Sequence, residues 1–413
     1  MHQESNLYRR RGVPASCRFC FVIICLFFGN CVFADEPLAK RLPAGTKPFP
    51  QFTERIIDSQ IGKVCYAVTL ADINEDGQQD IVAVSENRVL WYENPSWQSH
   101  VMIEDQTPRD NVCIAPRDIN GDGHIDFAVG AGWTKSGTLH WIERADSLEQ
   151  PWKVHSIGKE LWLHRARWSD VLGRGQSQLV ISALNGSAEN GARLLAFEVP
   201  TDPVNDRWMS TELNSEFNRM HNHWHLDLDQ DQKMDTLTAS QEGITLVQRI
   251  HEEWKATRLG HGASGDANTD QGAGEIKIGH LLDGTPFIVT VEPMHGHSLV
   301  LYQLPESGKF TDLWQRNVID TGFQRGHALW TEDMDGDGSD EIVFGHSDTP
   351  DTFGVIVYDC SQNILTSWKK YVVDAGGMAT EDLVVADLTG DGRPDIVAGG
   401  RATHNVKLYV NTR

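Results

Sequence analysis

Residues 118–130 read DINGDGHIDFAVG, and the rest of the chain can be read outward from this stretch. Asp118, Asn120 and Asp122 place oxygen-bearing side chains at alternate positions, Gly123 follows the third, and Asp126 opens an apolar run. In a tight turn, alternate spacing lets several oxygens converge on one point, and the glycine takes a positive φ that a side chain resists. Converging hard oxygens suit Ca²⁺ or Mg²⁺. Phe127-Ala128-Val129-Gly130 then reads as a buried strand.

The loop-then-strand unit recurs along the whole chain. Asp72, Asn74, Asp76 and Asp80 lead into IVAV; Asp227, Asp229, Asp231 and Asp235 into TLTA; Asp333, Asp335, Asp337 and Glu341 into IVFG; Asp387, Thr389, Asp391 and Asp395 into IVAG. Weaker copies begin at Asp170 and Gly279. The seven starts, at 72, 118, 170, 227, 279, 333 and 387, lie 46 to 57 residues apart, a period that marks a propeller or solenoid. An aromatic opens a strand before each loop (Phe52, Trp97, Trp152, Trp208, Trp254, Trp314, Trp368). A further alternating strand follows each loop strand, as in VLWYE, TLHWIE and VIVYD. Four strands repeated seven times predict an all-β, seven-bladed β-propeller over 52–413. The first strand, Phe52–Asp58, is expected to complete the last blade beside Val406–Val410 and so remove an open edge.

Before the repeats, Arg9, Arg10, Arg11 and Arg18 precede an apolar run from Phe19 to Phe28, and Val32-Phe33-Ala34 offers small residues for cleavage. Residues 1–34 therefore read as an export signal, 35–51 as a proline-containing linker, and the mature protein as secreted or periplasmic. The apolar run is short for a membrane span, so no stable span is expected after cleavage; the alternative reading is an uncleaved anchor or a lipoprotein at Cys31, which Asn30 before it fits poorly. The chain carries 36 basic and 58 acidic residues, net −22, a balance that argues against nucleic acid, whose phosphates it would repel. Of seven cysteines, Cys65, Cys113 and Cys360 fall in the repeats, an odd number that reads as buried small hydrophobes rather than a disulfide framework.

The repeats DINGDGHIDFAVG, DMDGDGSDEIVFG and DLTGDGRPDIVAGG resemble the FG-GAP/VCBS repeats of integrin α-subunit N-terminal propellers and of many secreted bacterial proteins. That resemblance implies the fold and leaves function open, since the fold carries binding modules and enzymes alike. A narrower resemblance is to the propeller of the aldos-2-ulose dehydratase/isomerase family, and it implies metal-dependent elimination on anhydrofructose-type sugars.

The acidic loops sit on one rim, where each inner strand turns to the second. Ca²⁺ or Mg²⁺ held there would be structural, although solvent and backbone amides could also satisfy the acids. On the opposite rim, stepping back six residues from each loop start gives Tyr66, Val112, His164, His221, Ala273, His327 and Glu381. Three histidines and a glutamate at one position of a seven-fold ring suit a Zn²⁺ or Mn²⁺ site, with Glu381 as a ligand or base. His223, His295, His297 and His346 are reserves for a shifted register, and HNHWH and HGH each place histidines on one strand face. Trp133, Trp162 and Trp330 are candidate sugar platforms. Two function classes stay open: a sugar dehydratase or lyase working by β-elimination, with a carbohydrate or small sugar as substrate, and a non-catalytic glycan- or protein-binding propeller in which these imidazoles pack between blades.

Overall fold

The computed structural model describes residues 49–412 except 149, 188–189, 266–270, 348–352 and 361–366. The expected signal peptide (1–34) and most of the linker (35–48) lie outside these residues. The described chain forms 28 strands in seven four-stranded antiparallel sheets, with no helix.

Each blade starts with an inner strand: Cys65–Ala71, Cys113–Arg117, Leu163–Ser169, Met220–Leu226, Ile276–His280, Gly326–Glu332 and Thr380–Ala386 for blades 1 to 7. The inner strands contact one another in cyclic order, blade 7 returning to blade 1, so the ring is closed. Closure is completed by Phe52–Asp58, which pairs antiparallel with Val406–Asn411 in blade 7, Phe52 opposite Asn411 and Arg55 opposite Leu408. The expected N-terminal strand exchange is therefore present.

The burial pattern follows from this stacking. Second strands such as Asp80–Ser85, Asp126–Ala131 and Asp395–Gly400 are buried at every position, because a neighbouring blade covers each face. Outer strands are mostly exposed, as in Gln98–Glu104. One buried apolar cluster fills each of the seven blade interfaces. Trp152, Trp208 and Trp314, three of the repeat-opening aromatics, are buried in these clusters. Cys65, Cys113 and Cys360 are buried in these clusters as well.

Candidate metal centre at the channel mouth

The acidic loops and the candidate histidines occupy opposite ends of the inner strands, as the repeat alignment requires. At the histidine end, the ladder between inner and second strands slips by one residue in five blades. Leu163 faces Ala183 and Arg165 faces Ser182, leaving His164 without a partner. By the same slip His221 is left over between Met220 and Asn222, His327 between Gly326 and Ala328, Tyr66 between Cys65 and Ala67, and Glu381 between Thr380 and Asp382. These five are among the seven residues that the sequence alignment places around the mouth. A bulge re-aims the extra residue and releases its backbone groups from the ladder. Two of the released carbonyls are used at once: His164 Nδ1–H donates to the His221 carbonyl at 2.8 Å, and His327 Nδ1–H to the Glu381 carbonyl at 2.5 Å. With Nδ1 as donor, each ring keeps its lone pair on Nε2, the arrangement a metal-ligating histidine needs.

His164, His221 and His327 are buried, and one ring nitrogen from each lies within 4.8 Å of the others. His295 joins them from the hairpin that follows Pro286–Glu292; its ring stacks on His327 with centroids 4.6 Å apart. His295 Nε2 lies 2.5 Å from His221 Nε2. The hairpin turns tightly at Gly296, where an added Cβ would fall 2.2 Å from the Glu292 carbonyl carbon, so no side chain fits. His221 Nδ1 lies 3.0 Å from Glu275 Oε1, though not aligned for a good hydrogen bond. Glu381 Oε1 is 3.6 Å from His327 Nε2, but its oxygens are also engaged by Arg401 and, at 3.4 Å, by Arg325.

Burial dominates the electrostatics. It holds His164, His295 and His327 well below the ordinary imidazole range, and neighbouring imidazoles and guanidiniums push the same way. Burial lowers His221 as well, with the Glu275 carboxylate opposing it. All four rings are thus neutral, the state that binds a metal. Glu275 is the counter-charge: burial would raise it, yet Arg165 and His221 hold it well below the usual carboxylate range. The four neutral imidazoles, two of them with fixed tautomers, and the adjacent carboxylate fit Zn²⁺ or Mn²⁺.

The centre opens on a small recess of about 40 Å³ lined by Tyr66, Trp133, His164, His295, His327 and Glu381, among others. Arg165 lines both this recess and the channel beyond it. Its Nη2 donates to Glu275 Oε1 at 2.8 Å, and Asn222 Nδ2 engages the other oxygen. This blade 3–4–5 network separates the mouth from the deeper channel.

The remaining candidates lie elsewhere. His223 is buried beside His225, rings 5.0 Å apart, on the strand below the mouth. His297 is exposed, and His346 stacks on Phe344 at 5.7 Å. Ala273 is buried and offers no ligand, so blade 5 contributes through His295 instead. Trp133 meets Trp162 edge-on at 5.9 Å, whereas Trp330 lines the deeper channel.

On the other rim, oxygens of Asp227, Asp229 and Asp235 lie within 4.8 Å of one another, as do those of Asp333, Asp335 and Glu341. The first acid of each loop is a turn cap: Asp118 accepts from Gly121 and Gly123, and Asp387 from Gly390 and Gly392. Asp170 caps its loop in the same way without the other acids, through Arg174 and Gly175. The fourth acid is buried and tied to backbone; Asp126 accepts from Ile119 and Arg144. Burial, with the crowded loop carboxylates adding to it, pushes Asp80, Asp126 and Asp235 up to about 6 and Glu341 to about 10. Hard oxygens under such mutual repulsion fit a Ca²⁺ or Mg²⁺ ion.

An FG-GAP-like repeat model matches residues 72–129 and 333–398. The chain carries FG-GAP-like repeats. The model of the aldos-2-ulose dehydratase beta-propeller domain matches 136–305, from the outer half of blade 2 across blades 3 and 4 and into blade 5. Aldos-2-ulose dehydratase of Phanerodontia chrysosporium is 24% identical over 275 residues, covering 60% of this chain and 30% of that protein's length. Among solved structures, BBS1N in complex with ARL6DN, soaked with lead, superposes with a TM-score of 0.54 at 11% identity, covering 88% of this chain and 97% of that one. The Dos1 propeller gives 0.51 at 10% identity, covering 84% and 78%. Both likenesses concern the fold alone. Among the described residues no helix is long and apolar enough to cross a membrane.

Proposed function

We propose that this propeller is an exported, metal-dependent carbon–oxygen lyase that acts on a sugar at the channel mouth. The observation that carries the reading is the set of three bulge histidines, His164, His221 and His327, with ring nitrogens within 4.8 Å and, on His164 and His327, tautomers set by released carbonyls. The likeness to aldos-2-ulose dehydratase supports a sugar as the substrate class.

These three histidines would hold Zn²⁺ or Mn²⁺. When bound, the ion supplies Lewis acidity that polarises a sugar carbonyl and acidifies the adjacent C–H. Glu275 orients His221 from behind. His295, kept neutral by burial, stands at the edge of the recess and accepts the proton, while a hydroxyl departs from the next carbon. Trp133 gives the sugar ring an apolar wall. Arg325 and Arg401 occupy Glu381, so that glutamate positions the wall rather than acting as the base. Ca²⁺ or Mg²⁺ in the acidic loops would be structural.

The pairing of Glu381 with two guanidiniums also favours a second reading, a glycan-binding rim without turnover. Two measurements decide. Purified protein should contain a transition metal that His221→Ala and His327→Ala lose, and should form ultraviolet-absorbing unsaturated product from anhydro- or keto-sugars. Full metal content in both variants sinks the metal centre; metal without product leaves the binding rim.

A further inference from the structure

Beyond the Arg165–Glu275 network the channel widens to about 360 Å³, bounded by all seven inner strands. Two cations face it from opposite sides of blade 4. Arg167 lies over the Trp224 ring at 5.0 Å, and Lys277 Nζ over the same ring at 4.1 Å and over Trp330 at 5.4 Å. Neither forms a hydrogen bond or a carboxylate ion pair among the described residues, although Lys277 is only 4% exposed. Of the acids lining the same space, Glu275 is taken up by Arg165 and Asn222, and Asp382 accepts the Val68 amide. A buried cation with no partner is costly, and the ring faces offset only part of that cost. Burial, with Arg167 adding to it and the Glu275 and Asp382 carboxylates opposing, lowers Lys277 to about 7. In a chain of net charge −22, the lining of this space is the reverse, three cations (Arg165, Arg167, Lys277) against two acids (Glu275, Asp382). A low-dielectric channel of that sign focuses the field on an incoming anion.

We propose that the channel is an anion site, with Arg167 and Lys277 taking a carboxylate or phosphate, and that the sugar the protein handles carries that group. The anion site stands on the channel itself; only its link to the sugar chemistry rests on the metal-centre reading. The tryptophans fix the two cations and leave their N–H groups directed at a ligand, which a strong anion would satisfy by charge-assisted hydrogen bonds.

The test is calorimetric titration of the full chain with glucuronate, glucose 6-phosphate and glucose. At least one anionic sugar should bind about tenfold or more tighter than glucose, the effect of one charge-assisted hydrogen bond. Preference for glucuronate assigns a carboxylate and preference for the phosphate ester assigns a phosphate. Lys277→Met and Arg167→Gln should each weaken the anion about tenfold and keep their metal. Lys277→Met should also melt higher than the parent, because an uncompensated buried charge is gone. His221→Ala should lose metal and keep anion binding, which separates failure of the metal centre from failure of this site. Equal binding of glucose and both anions, or unchanged binding in both Lys277→Met and Arg167→Gln, overturns the proposal.

Discussion

His221 Nε2 lies 2.5 Å from His295 Nε2, a distance two lone pairs do not tolerate, so one of the two rings presents an N–H to the other. Glu275 stands behind His221, 3.0 Å from its other nitrogen. Glu275→Gln keeps the shape and removes the charge. We expect transition-metal affinity to fall about 10–100-fold, as for other partners that orient a ligating histidine. Competition with a chelating dye measures this. Unchanged affinity would remove Glu275 from the centre.

Arg165 and Glu275 form a buried pair across the channel, each less than a tenth exposed. Arg165→Ala strips the carboxylate of its main counter-charge and leaves Asn222 and His221 to satisfy it. Breaking such a pair from one side destabilises by about 3–5 kcal/mol. Denaturant unfolding of Arg165→Ala should show a loss of that size; a loss below about 1 kcal/mol, the level of a surface pair, would mean water reaches the site.

The fold was legible because the acidic loop anchors the register of five blades and weaker copies keep the same spacing in the other two. From that anchor, an inner strand of nearly constant length leads to the mouth, so stepping back six residues reached His164, His221, His327 and Glu381. The bulges that present these residues left no mark in the sequence, since a bulge is a property of two paired strands. Blade 5 lacks the acidic loop, and its alignment gave the buried Ala273, while its real contribution, His295, comes from a hairpin held by Gly296. His297, two residues on, reads the same in sequence and is exposed. The Arg325–Glu381–Arg401 grouping joins residues from two blades, and the Arg167–Trp224–Lys277 grouping from three, so each needed the closed ring to be seen.

Gln232 occupies the loop position that is glycine in the other acidic loops, and it keeps their conformation at φ 68°. Its amide still donates to Asp227 Oδ2 at 2.8 Å. A side chain in the left-handed region costs about 1–2 kcal/mol, while glycine costs about 0.4–1 kcal/mol through the unfolded chain. The backbone strain outweighs the entropy that glycine adds to the unfolded chain. Gln232→Gly should therefore stabilise blade 4 by up to about 1 kcal/mol in equilibrium unfolding, and a destabilised variant would show that the glutamine side chain has a role of its own.

The loop acids should make calcium stabilisation depend on pH. In the ion-free fold Asp80, Asp126 and Asp235 titrate near 6, raised above an unfolded value of about 4, and Glu341 near 10. The folded state then holds protons that the unfolded chain has released. Their contribution is fully present below about pH 4 and is lost as pH rises through 6, so the chelated protein loses loop stability on that climb. Bound cations reverse the cost by replacing those protons, and they stabilise by mass action. The buried histidines act in the opposite sense: their lowered values cost stability as pH falls below about 6.5. They titrate in both chelated and calcium-loaded samples once transition metal has been removed, so they cancel in the difference. The calcium-induced rise in melting temperature should accordingly be small near pH 4.5 and grow steadily to pH 7. A rise that is equal at both ends, or no rise at all, would mean that the backbone caps alone satisfy these loops.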